Sequence, residues 1–132
     1  MVLEVKDINT FYGLSHILFN VSLAVGEGET VCLLGRNGVG KTTTFRSIMG
    51  LTPPSSGCIK FLGKEIRGKQ PFQIYRLGVG LVPEDRIIFP DLTVRENLDI
   101  AVRKVPEGRK AGGWTIEKVH QLFPVLKARD EQ

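Results

Sequence analysis

Gly35-Arg36-Asn37-Gly38-Val39-Gly40-Lys41-Thr42 fits the phosphate-binding pattern G-x-x-x-x-G-K-[ST] at every fixed position. The run before it, Thr30-Val31-Cys32-Leu33-Leu34, is short and nearly all apolar, the pattern of a strand buried on both faces. The run after it, residues 42–49, is able to wind as a helix that ends at Gly50, a residue suited to the left-handed C-terminal position. Strand, glycine turn and helix together make the pattern a site. Successive N–H groups from Gly35, Arg36, Asn37, Gly38, Val39 and Gly40 would point inward and form an anion-binding nest. The helix start adds partial positive charge to that nest. Lys41 is expected to reach the β- and γ-phosphates as a point charge, Thr42 to offer its hydroxyl to Mg²⁺, and Thr43 to meet the α-phosphate. The competing reading is a glycine-rich turn that merely starts a helix. It would leave an unpaired lysine in a buried loop, at a cost in stability.

The chain has 132 residues, enough for one domain, and its 42% hydrophobic and 24% charged content is that of a globular protein. The net charge of +4 is spread over short groups such as Lys60/Lys64/Arg67/Lys69, with no aromatic interleaving. Solvated loops account for these groups, so no nucleic-acid partner is expected. Cys32 and Cys58 lie in predicted strands and are expected to be small core residues. Their spacing gives no metal site and no disulfide framework, which suits a reducing compartment. No run approaches the roughly 18 apolar residues that span a bilayer. The N-terminal residues lack the basic segment and long apolar core of a signal peptide. A cytoplasmic chain that reaches a membrane only through a partner is expected.

Leu3, Val5 and, after a break, Ile8 predict an opening strand. Ile17, Phe19, Val21, Leu23 and Val25 alternate as a half-buried strand does. Gly26-Glu27-Gly28-Glu29 is a turn, residues 53–57 a rigid Pro-Pro-Ser-Ser-Gly bend, and Cys58 to Leu62 a further strand. A short helix from Phe72 to Leu77 and a short buried strand, Val79 to Val82, follow. Pro83 ends that strand, and Glu84-Asp85-Arg86 is a loop. Thr93 and Glu96 form a capping box, opening a helix with Leu98, Ala101, Val102 and Val105 on one stripe. After a polar break from Pro106 to Gly113, a helix from Thr115 carries Ile116, Val119 and Leu122/Phe123 until Pro124 disrupts it. An antiparallel layer beside a parallel core, an α/β fold, is the expected architecture.

With these pieces placed, the chain resembles the nucleotide-binding subunits of ATP-binding-cassette (ABC) transporters, and among them the ATPases of bacterial branched-chain amino-acid importers. The residues that carry the likeness are Phe11-Tyr12-Gly13, Val21-Ser22-Leu23, Gly28-Glu29, the phosphate loop through Thr44, and Gly50-Leu51 with the bend after it. Residues 80–89 and Leu92-Thr93-Val94-Arg95-Glu96-Asn97-Leu98 complete them. The resemblance implies a P-loop NTPase domain of the ABC type, with a RecA-like parallel core and an antiparallel β layer. It further implies ATP and Mg²⁺ as ligands, membrane-spanning permease subunits and a second ABC ATPase subunit as partners, and residence at the cytoplasmic face of the membrane. Tyr12 matches the aromatic that stacks on adenine, and an aromatic face suits any flat base. Packing over a sheet edge is the other reading of Tyr12. Glu84 stands where most of the superfamily has glutamine, so it is a candidate for the metal contact and for polarising the attacking water. A linker acid exposed on a loop is its competing reading. Residues from Ile87 to about Phe123 match the start of the helical subdomain that docks on the membrane subunit.

The resemblance also implies what residues 1–132 do not hold. The Leu-Ser-Gly-Gly-Gln signature, the Walker B strand ending in Asp-Glu and the switch histidine are absent, so the domain is expected to be incomplete. Phosphoryl transfer needs metal, positioned water and charge stabilisation together, so hydrolysis by this chain alone is expected near background. The family's sheet places strands from the other half between residues 30–34 and 79–82, and open edges there invite aggregation. A urea or amide importer ATPase shares these motifs, and the sequence separates it poorly from the branched-chain reading. From other classes come a nucleotide-binding module without turnover and a soluble relative acting in translation or DNA repair. The latter should show linker insertions or strong basic extensions, and none is seen.

Overall fold

Alternation of apolar residues builds a long antiparallel hairpin, β1 (Leu3–Tyr12) and β2 (Ser15–Val25), in the computed structural model, which describes residues 1–85, 87–102 and 113–132. With β3 (Ser56–Phe61) and β4 (Lys64–Glu65) it forms one four-stranded sheet in the order β2-β1-β3-β4, antiparallel throughout. Val5 pairs with Leu23 on one side and Ile59 on the other, which places the centre of the sheet at a fully buried valine. The break expected between Val5 and Ile8 is a bulge inside one continuous strand. Asp7 takes a left-handed φ of 47° there, and the register slips between Val5 and Ile8. The Ser22 hydroxyl accepts from the Asp7 N–H at 2.8 Å and donates to the Asp7 carboxylate at 3.0 Å, holding the bulge on both sides.

Two helices accompany the sheet within residues 1–82, α1 (Lys41–Ile48) and α2 (Pro71–Leu77). Ile48 and Met49 from the end of α1, Ile74 from α2 and Ile66 join Val5, Ile8, Leu18 and Ile59 in one buried cluster. The Thr10 and Ser47 hydroxyls meet at 2.9 Å inside it, so the polar atoms that fix α1 against β1 satisfy each other. Gly50 ends the α1 segment with φ 71°, as expected, and a Cβ there would lie 2.6 Å from the Lys69 carbonyl oxygen.

Residues 30–34 and 79–82, both expected as strands, join no sheet among the described residues. A strand of the buried kind needs partners on both edges, and the antiparallel sheet does not extend to these segments. Their apolar residues therefore face outward: Leu34 is 84% exposed and Val82 92%. Cys32, expected in the core, is exposed for the same reason. Val31, Leu33, Val79 and Leu81, with Leu3 and Phe45, instead line an apolar cleft of about 220 Å³.

Cys58 is only half-buried, and its thiol donates to Glu65 Oε2 at 2.7 Å rather than packing as a plain apolar group. Glu65 also accepts from the Ile59 and Arg67 N–H groups, both at 3.1 Å. Burial raises the Glu65 pKa, but the Cys58 thiol and the two amides outweigh it and hold the carboxyl below its ordinary value. A depressed carboxylate contributes stability above its unfolded pKa and loses it as pH falls through the folded value. Glu65→Gln is thus expected to lower stability by about 1 kcal/mol or less at neutral pH, since the residue is largely solvent-exposed. The difference should begin to shrink as pH falls through the ordinary glutamate value of about 4.3 and vanish only at a strongly acidic pH beneath the depressed folded value, where glutamic acid and glutamine are alike. Urea midpoints followed by circular dichroism at the two pH values measure it, and equal midpoints at neutral pH would refute the assignment.

Residues 83–132 form a second unit with α3 (Val94–Ala101), α4 (Ile116–Leu122) and α5 (Pro124–Ala128). The expected capping box is present: Thr93 Oγ1 accepts from the Glu96 N–H at 3.2 Å, and Glu96 Oε2 accepts from the Thr93 N–H at 2.8 Å. Pro124 ends α4 and also opens α5, because proline at the first helical position gives up an N–H that has no partner there. No residue of α3, α4 or α5 is buried, and Leu98, Ile116 and Val119 are half-covered. The expectations for Arg86, for Val105 and for the break at residues 106–112 fall outside the described residues. No helix among the described residues is long and apolar enough to cross a membrane.

Candidate nucleotide site

Gly40 is the N-cap of α1 at φ 99°, and a Cβ there would come within 2.7 Å of Leu18 Cδ2. Only glycine lets the loop sit this close to β2 while turning into the helix. From Gly40 the helix starts cleanly. The Thr44 N–H and the Thr44 hydroxyl both donate to the Gly40 carbonyl, at 2.8 and 3.0 Å. No side chain caps the N-terminus and no acidic residue stands in the first turn. The positive end of the helix is therefore left to whatever anion meets the loop.

Lys41 folds back over the loop. Its ammonium donates to the Gly35 and Arg36 carbonyl oxygens, both at 2.8 Å, taking up two of its three donors. The charge itself has no acid beside it in that turn. Residues 35–39 are exposed, the Val39 side chain among them. Thr42 is exposed at the helix start, where its hydroxyl suits a magnesium ion, whereas Thr43 is buried. An exposed glycine-rich loop, a helix start without a side-chain cap and an adjacent ammonium are a donor set that fits a triphosphate.

Tyr12 ends β1 with its ring half-exposed. Its hydroxyl accepts from Thr52 Oγ1 at 3.5 Å. This contact lowers the phenol pKa from its ordinary value; burial opposes the shift, and Thr43 and Arg46 add to it. Tyr12 and the start of α1 are therefore neighbours, as one site requires. Glu84 lies apart from this group in the chain, in a turn of the second unit. Thr52 and Arg46 were not legible from the sequence. Thr52 reads there only as the first residue of a proline-rich bend, and no spacing marks it.

The sequence profile described as ABC transporter matches residues 18–132. The chain is 37% identical over 131 residues to the high-affinity branched-chain amino acid transport ATP-binding protein BraG of Pseudomonas aeruginosa, covering 99% of this chain and 55% of that protein. It is 34% identical to the sulfate/thiosulfate import ATP-binding protein CysA of Pectobacterium atrosepticum, covering 96% of this chain and 38% of that one. A solved structure of an ATP-binding subunit of an ABC transporter superposes with a TM-score of 0.74 at 31% identity, over all of this chain and 54% of that one. The chain spans about half the length of the relatives it matches.

Proposed function

We propose that this chain, which belongs to the ABC transporter family, binds Mg-ATP as part of an ATPase subunit that energises import of branched-chain amino acids. The loop supports this reading most directly: an ammonium poised over residues 35 and 36 beside an uncapped helix start. Gly35, Arg36, Asn37, Gly38, Val39 and Gly40 would cradle the β- and γ-phosphates with their N–H groups while Lys41 supplies the charge. Thr42 would ligate Mg²⁺, Thr43 approach the α-phosphate, and Tyr12 present its ring to adenine. When bound, Mg²⁺ supplies neutralisation of phosphate charge. Glu84 is assigned to the metal or the attacking water. The branched-chain assignment rests on the likeness to the Pseudomonas protein, and the likeness to a sulfate importer keeps the broader class of solute importers as its frame.

As part of such a subunit the chain would work at the cytoplasmic face of the membrane, held by permease subunits and paired with a second ATPase subunit. Residues 1–132 by themselves are expected to bind nucleotide without appreciable turnover, because phosphoryl transfer needs metal, positioned water and charge stabilisation together, and the loop offers only the phosphate contacts. Titration of the folded 132-residue chain with ATP, with and without magnesium, tests the reading. Magnesium-dependent saturable binding is the expected result, and no binding would end it. Phosphate release that is robust and depends on Lys41 would end the expectation of low turnover.

A further inference from the structure

The ring of Tyr12 stands at the end of a strand, half-exposed and followed by Gly13, where an aromatic side chain left to itself samples several rotamers. In this structure it is held. Gly50 turns the chain back over the end of α1, so that the Leu51 and Thr52 N–H groups both donate to the Arg46 carbonyl oxygen, at 2.9 and 3.2 Å. That fixes the Thr52 backbone to the helix. Its side chain is fixed as well, since Thr52 Oγ1 accepts from Arg46 Nε at 3.4 Å and donates to the Tyr12 hydroxyl at 3.5 Å.

We propose that Thr52, fastened to α1 through Arg46, is a positioning residue that sets the Tyr12 ring as a ready-made platform for the nucleotide base. The proposal rests on the reading of Tyr12 as the adenine-stacking residue. The helix that carries the phosphate-binding lysine then also carries, through Arg46 and Thr52, the latch for the base platform. Base and phosphates are held in register by one element. A ring already fixed loses little freedom when the base arrives, whereas an unlatched ring would lose it on binding. The phosphate end of the ligand gains nothing from the latch, which separates this role from a general effect on the fold.

Thr52→Val removes the hydroxyl at constant shape, and Tyr12→Phe removes its acceptor while keeping the ring. Each is expected to weaken Mg-ATP binding about two- to tenfold and to leave binding of inorganic tripolyphosphate unchanged. The double variant should be no worse than either single one, and Thr52→Ser should restore binding. Tyr12→Ala, which removes the platform, should cost ATP affinity at least as much as Tyr12→Phe. If Tyr12→Ala is impaired while Thr52→Val and Tyr12→Phe bind ATP like the parent, the latch is refuted and the stacking role stands. If Thr52→Val loses tripolyphosphate binding in equal measure, its role is structural and the proposal falls. If Tyr12→Ala binds ATP and tripolyphosphate like the parent, the stacking reading fails and takes the latch with it.

Discussion

Lys41→Ala is expected to weaken Mg-ATP binding roughly ten- to hundredfold, with the helix content of the chain unchanged. A hydrogen bond to a charged group is worth about 1.5–3 kcal/mol, and about 1.4 kcal/mol corresponds to tenfold in affinity. Lys41 holds two loop carbonyls at 2.8 Å and, on the proposed reading, would also face the anion. Losing it removes both the charge and the tie that keeps residues 35 and 36 folded over the helix start. The fold should survive, since Lys41 is not part of the buried cluster and the core contacts of α1 run through Ser47, Ile48 and Met49. Lys41→Arg keeps the charge but replaces a compact point donor with a planar fork, and it should lie between the parent and the alanine variant. Calorimetric titration with circular dichroism as the folding control measures this. An alanine variant within twofold of the parent would show that the loop amides alone grip the ligand.

The site was more legible than the sheet that carries it, for a physical reason. Phosphate loops are read from residues contiguous in sequence. The glycines, the lysine and the helix behind them act through backbone geometry that eight consecutive positions fix among themselves. The hairpin was legible for the same reason, because β1 and β2 are neighbours along the chain and their alternation tells which face is buried. Residues 30–34 and 79–82 are another matter. Their uniform apolar character reports how they would be surrounded, not whether the surroundings are at hand, and Cys32 was placed in a core on that character alone. The Tyr12–Thr52–Arg46 latch brings together residues from a strand end, a bend and a helix. Long-range polar contacts of that kind leave no periodic trace. The bulge at Asp7 lies between: the break in alternation was visible, but it interrupts the register and not the strand.

The 132-residue chain by itself is expected to self-associate through these same two segments. Leu34 and Val82 are almost fully solvated, and Val31 and Leu81 border a cleft whose lining is overwhelmingly aliphatic and aromatic. Covering one such side chain is worth about 1.5–3 kcal/mol, and residues 30–34, which join no sheet among the described residues, add backbone groups able to take up a partner strand. A second copy of residues 1–132 offers equivalent apolar edges. Size exclusion of the chain should therefore give species larger than a monomer, with strong enhancement of a dye that reports exposed apolar surface. Leu34→Lys with Val82→Lys should shift elution to the monomer and lower the dye signal several-fold, because two solvated ammonium groups on these edges oppose close strand approach. Neither position contributes a side chain to the buried cluster, so the double variant should keep the circular dichroism of the parent. A parent chain that is already monomeric, with a dye signal no higher than that of the double variant, would mean that these edges are satisfied within the chain itself, and the expectation of an open sheet would be wrong.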